Sequence, residues 1–136
     1  MAINVTDIIE MVEAIKELGL PRETSVYDMG CGTGLIGKKL QDLGFTDILG
    51  TDASEKFVQA SHEKGCYREV KLIFNGQGVD LFPTELKNRF GLVTASGVWL
   101  KGHISAVGLE DVHASLLPGG YFVTSMRIFY YVSGQE

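Results

Sequence analysis

The stretch VYDMGCGTGLIG, from Val26 to Gly37, constrains this chain more than any other. Glycine tolerates left-handed backbone angles and carries no side chain, so a glycine-rich bend after a strand lets a ligand lie directly on the main chain. Two registers fit the letters. Gly32-x-Gly34-x-x-Gly37 is the pattern of dinucleotide sites, and Asp52 follows about twenty residues on, as that fingerprint asks. It requires Asp28, Met29, Gly30 and Cys31 to form a strand end, and an aspartate and a glycine are poor strand formers. The register Gly30-x-Gly32-x-Gly34 instead ends the strand near Tyr27 and Asp28 and spends each following glycine in the turn. It sets the Asp28 carboxylate at the mouth of the bend, where it suits a cation and repels a pyrophosphate. The second register is the better reading, and the first survives as a nucleotide-binding oxidoreductase alternative.

Helical and extended patterns alternate around this bend. Ile8, Ile9, Val12, Ile15 and Leu18 form a helical stripe, with Thr6 able to cap its start and Gly19 and Pro21 to stop it. SVYDMG, DILGTD, VKLIF, FGLVTAS and YFVTSMR read as strands. LIGKKLQDLG, SEKFVQASHEKG, a short PTELKNR and VGLEDVHASLLPGG read as helices. This order predicts an α/β fold in one domain over residues 1–136. Its core is a Rossmann-like doubly wound sheet, mostly parallel, of about five strands with helices on both faces. Ligands on such sheets sit at the carboxyl ends of the strands, where the glycine bend lies.

Charge and cysteine usage narrow the function. The net charge is −5 and the basic residues are scattered, so no nucleic-acid partner is expected. The apolar runs are too short for a membrane span, and the first residues lack the pattern of a secretory leader. Cys31 and Cys66 share no metal or redox spacing and read as reduced thiols of a cytoplasmic protein; no metal site is expected. The ligand that suits the bend is a cationic nucleoside without phosphates, a description that S-adenosylmethionine meets.

VYDMGCGTGLIGKKL resembles the first motif of the class I S-adenosylmethionine-dependent methyltransferases, and the likeness extends from about Ser25 to Arg127. GCGTGL, GFTDILGTDAS and LLPGGYFVTSMR resemble the methyltransferase-like branch associated with the Williams–Beuren syndrome region. The resemblance implies that Gly30, Cys31, Gly32 and Gly34 line the methionine part of S-adenosylmethionine. Asp28 would orient the turn or hold the ammonium. Asp52 would take both ribose hydroxyls, with Ala53 and Ser54 beside the adenine edge. The class commonly places an aspartate after the third strand; Asn75 or Gln77 stands there instead and would meet the adenine amine. Ala95, Ser96 and Gly97 would border the transferable methyl, Trp99 would roof the pocket or fill the core, and His103 is the candidate general base. The sheet of that class has seven strands, so its carboxyl-terminal strands are expected to be missing here. The fifth strand is then expected to be an unpaired edge, open to a second copy in a homodimer. The acceptor would be an unidentified small molecule or protein. An inactive cofactor-binding module acting through partners is the alternative.

Overall fold

In a computed structural model, residues 5–95, 106–124 and 129–131 are described. The chain runs α1 (Val5–Leu18), β1 (Val26–Met29), α2 (Leu35–Asp42), β2 (Ile48–Asp52), α3 (Glu55–Lys64) and β3 (Glu69–Leu72). Two 3-10 turns follow (Val79–Leu81 and Thr84–Leu86), then β4 (Phe90–Ala95), α4 (Ala106–Ser115), β5 (Leu116–Thr124) and β6 (Phe129–Tyr131). Among the described residues the sheet order is β3-β2-β1-β4-β5-β6. The first five strands are parallel and β6 is antiparallel to β5.

Strand alternation divides the core into two layers. Tyr27, Met29, Leu49, Val93, Ala95 and Phe122 point to one face, packed with Val112 and Leu116, Phe82, Leu86 and Phe90. Val26, Ile48, Leu92 and Val123 point to the other, under Ile8, Met11 and Ile15 of α1 and Ile36 and Leu40 of α2. The three- and four-residue spacing of those helical residues is what turns one side of each helix to the sheet. The order of strands reverses direction between β1 and β4, so the loop after β1 sits at the switch point where such sheets form their ligand crevice.

Several boundaries differ from the sequence expectations. β1 continues through Asp28 to Met29. α1 includes Thr6 rather than starting after it. PTELKNR gives only a 3-10 turn. The LLPGG segment extends β5 instead of closing α4, with a register shift between Phe90 and Leu92 and Gly119 at φ +82°. The expected open edge at β5 is already filled, since Tyr121, Phe122 and Val123 pair with Tyr131, Tyr130 and Phe129. A three-residue partner strand is too short to announce itself in sequence.

Two positions on β5 test which residues carry the core. Phe122 is fully buried and Leu117 is exposed. Phe122→Ala is expected to cost about 3–5 kcal/mol, and Leu117→Ala about 0.5 kcal/mol or less, in urea unfolding. Equal losses would contradict this layering.

Candidate functional site

The bend after β1 decides the register question by its angles. Gly30, Gly32 and Gly34 stand at φ +67°, +58° and +92°, a region that L side chains rarely adopt. Gly37 is an ordinary helical residue inside α2. Because β1 ends at Met29 and Gly30 already turns, the bend uses Gly30-x-Gly32-x-Gly34, and Gly37 serves packing within the helix. The Cys31 amide donates to the Thr51 carbonyl at 2.8 Å, and the Gly34 amide to the Cys31 carbonyl at 3.0 Å. From α3, the Ser61 hydroxyl donates to the Gly32 carbonyl at 2.7 Å, with Cys31 Sγ at 3.2 Å as a second acceptor. A Cβ on Gly32 would meet nothing within 4 Å, so that face of the bend is open.

Asp52, half-buried at the end of β2, joins the second strand to this bend. Its Oδ2 accepts the Gly32 amide and its Oδ1 the Ser54 amide, both at 3.0 Å. A carboxylate has about four acceptor sites, so both oxygens keep capacity for further donors. Ser54 caps α3, accepting from the Phe57 amide at 3.3 Å, while Ala53 is exposed beside it. A nucleoside ribose fits this donor and acceptor set: an open glycine face, a carboxylate with spare lone pairs, and a small exposed residue next to it.

Asp28 is placed differently from the sequence expectation. It is 0% exposed and lies beneath the bend, not at its mouth. Tyr67 Oη donates to its Oδ2 at 2.5 Å, and Thr94 Oγ1 from β4 donates to its Oδ1 at 3.0 Å. Burial pushes its pKa up to about 6; the two hydrogen bonds pull down and the Asp52 charge pushes up. The physical reason is alternation: Asp28 shares its sheet face with Val26, which points into the helical layer. The half-exposed carboxylate beside the bend is then that of Asp52.

The adenine-side expectation also shifts. Asn75 turns inward. Its Nδ2 donates to Tyr27 Oη at 3.2 Å and to Asp111 Oδ2 at 3.3 Å, while Asp111 Oδ2 also accepts the Gly76 amide at 2.7 Å. Asp111, on α4 and buried, thus holds the loop after β3, and Tyr27 and Thr51 share a hydrogen bond of 2.9 Å within the same network. Burial pushes the Tyr27 phenol up to about 12, so it stays a neutral donor. Gln77 is exposed and keeps its amide available. Ala95 is buried in the sheet, leaving only its backbone at the site edge. Ser96, Gly97, Trp99 and His103 lie outside the described residues.

Sequence reasoning missed Tyr67, Thr94, Ser61 and Asp111. Glycines within α2 and β2, Gly37 and Gly50, were the available signal, because an element interior seldom carries glycine without a packing reason. Cys31 is buried, and burial pushes its thiol up to about 12, with the Asp28 charge adding to this. Among the described residues no group of His, Cys, Asp and Glu is placed to hold a metal ion. No described helix is long and apolar enough to cross a membrane.

Fold and site together define a Rossmann-like α/β domain with a left-handed glycine bend at the switch point of its sheet. The chain belongs to the methyltransferase domain family, whose model matches residues 26–120. It is 27% identical to human methyltransferase-like protein 27 over 109 residues, covering 80% of this chain and 43% of that protein. It is 29% identical to the ribosomal protein L11 methyltransferase of Desulforamulus reducens over 104 residues, 74% of this chain and 32% of that one. The chain thus spans less than half the length of these curated relatives. Among solved structures, a TehB-like SAM-dependent methyltransferase from Corynebacterium glutamicum superposes with a TM-score of 0.64. Its identity is 23%, over 85% of this chain and 60% of that one. At that identity it shows the fold.

Two outcomes check the site. Asp28 titrates near 6 in the folded chain and near its ordinary value, about 4, when unfolded. Between these values the folded state keeps the proton that the unfolded state loses, so stability falls as pH rises from about 4 to about 6 and is level above. The linkage is about 3 kcal/mol. Urea unfolding across this window is expected to show that fall in wild type and not in Asp28→Asn; parallel curves would contradict it. Iodoacetamide at pH 8 is expected to leave Cys31 unmodified in the folded protein and to label it in urea, and fast native labelling would contradict its burial.

Proposed function

We propose that this domain binds S-adenosylmethionine across the carboxyl ends of β1 and β2 and supports methyl transfer to an acceptor by direct displacement. Family membership supports the reaction class. The observation that carries the cofactor is the left-handed glycine bend, open over Gly32 and tied to Asp52. Asp52 would accept the two ribose hydroxyls, Gly30 and Gly32 would present backbone to the amino-acid part, and Ala53 and Gln77 would border the base. Bound there, the sulfonium supplies an electrophilic methyl group.

The chain's own contribution is orientation. Holding the acceptor in line is worth roughly 7–11 kcal/mol in favourable systems. A proton acceptor matters only if the nucleophile must lose a proton, and His103 is the residue proposed for that task. The acceptor is proposed as a small molecule or a protein. The second reading is a cofactor-binding module that works through partners. A dinucleotide oxidoreductase finds no support, since β1 ends at Met29 and the bend already begins at Gly30, before that fingerprint's first glycine.

Calorimetry with S-adenosylhomocysteine and with NAD tests this reading. Wild type is expected to bind the first and not the second. Asp52→Ala, which removes acceptors for two hydroxyl donors, is expected to lose about 10- to 100-fold in affinity. Tight NAD binding, or full affinity in Asp52→Ala, would overturn the assignment. Turnover with an acceptor panel separates the enzyme from the inactive module.

A further inference from the structure

Gly34, which caps α2, Gly37 inside that helix and Gly50 of β2 all lie against one side chain, with Lys64 also close to Gly34. A Cβ at Gly50 would lie 2.8 Å and 2.9 Å from the Tyr67 ring, one at Gly34 would lie 3.4 Å from it, and one at Gly37 would overlap the ring and its hydroxyl. Tyr67 belongs to the loop between α3 and β3, yet its ring lies in this glycine socket and its hydroxyl ends on Asp28 Oδ2 at 2.5 Å. Gly37 is thereby explained: its missing side chain admits a tyrosine, not a ligand.

We propose that Tyr67 is a positioning residue. Seated in the Gly34–Gly37–Gly50 socket, it anchors the buried Asp28 carboxylate and so holds the floor beneath the glycine bend in its ligand-ready form. The mechanical path is short. Asp28 is followed directly by Met29 and Gly30, and Thr94 holds its second oxygen from β4. Fixing both oxygens ties the end of β1 to β4 on one side and to the α3–β3 loop on the other. The titratable groups that interact with this carboxylate are Tyr67 and Cys66 from the α3–β3 loop, Cys31 from the bend, Asp52 from β2 and, across the sheet, Tyr27 from its own strand. Among these Tyr67 is the donor to Oδ2. Burial and the neighbouring Asp28 charge push its own pKa well above the phenol range, so it donates throughout the working pH range. The cofactor half of the proposal rests on the S-adenosylmethionine reading; the anchoring half does not.

The test uses Tyr67→Phe, which keeps the ring and removes the donor. NMR of carbon-labelled aspartate carboxyls, without any ligand, is expected to show the Asp28 midpoint rising by about one to two pH units, the linkage equivalent of one hydrogen bond to a charged group. The pH below which S-adenosylhomocysteine affinity drops, by about tenfold, is expected to rise by the same amount. Gly37→Ala provides a second route. Alanine ordinarily favours a helix, but here it is expected to lower Tm and raise the Asp28 midpoint by expelling the hydroxyl. The double variant is expected to raise that midpoint no further than either change alone. An unmoved Asp28 midpoint in Tyr67→Phe would overturn the anchoring, as would additive effects in the double variant. A moved midpoint with an unmoved affinity profile would overturn the positioning of the bend. No binding by wild type would overturn the cofactor reading and the cofactor half with it, while the ligand-free titration still decides the anchoring.

Discussion

A single carboxylate at the end of β2, accepting the amide of a glycine in the bend after β1, holds the functional end of this molecule together. Three left-handed residues in five positions make a bend with few hydrogen bonds of its own. Such a segment needs external partners for its amides, because buried or half-buried backbone groups left unpaired are costly. Asp52 supplies one partner, the Thr51 carbonyl another, and Ser61 of α3 closes the bend from outside. The same Asp52 keeps acceptor capacity beyond these two amides, so one residue both shapes the bend and stays able to accept further donors.

Beneath the bend lies a second carboxylate with the opposite task. Asp28 is cut off from water and fully spoken for by Tyr67 and Thr94. A buried carboxylate with two good donors still titrates high, since desolvation outweighs the hydrogen bonds here. The two acids at this end are therefore divided by depth: one is closed into the framework and one stays half-exposed beside the bend.

Much of this was legible in the residues. The alternation of elements gave the parallel sheet, and the GCGTG letters gave the bend and its register, because only glycine accepts those angles in succession. Asp52 was legible from its place at a strand end. The depth of Asp28 was misjudged, because the strand continues one residue past it and alternation then turns it inward. Asn75 was misjudged for a different reason: Asp111, on a helix far along the chain, captures its amide. Tyr67 left its trace only in Gly37 and Gly50, whose lack of side chains is meaningless until the ring that fills the space is seen. The Pro118-Gly119-Gly120 run reads as a stop, yet pairing with β4 carries the strand through it.

The central claim is that the open glycine face beside Asp52 is where the nucleoside lies. Amide chemical-shift mapping during an S-adenosylhomocysteine titration tests it most directly. The expected result is a set of shifts centred on Gly30, Gly32, Gly34, Asp52, Ala53 and Gln77. Shifts centred instead on the cleft at the other end of the sheet, around Phe45, Gly65 and Arg68, would contradict it.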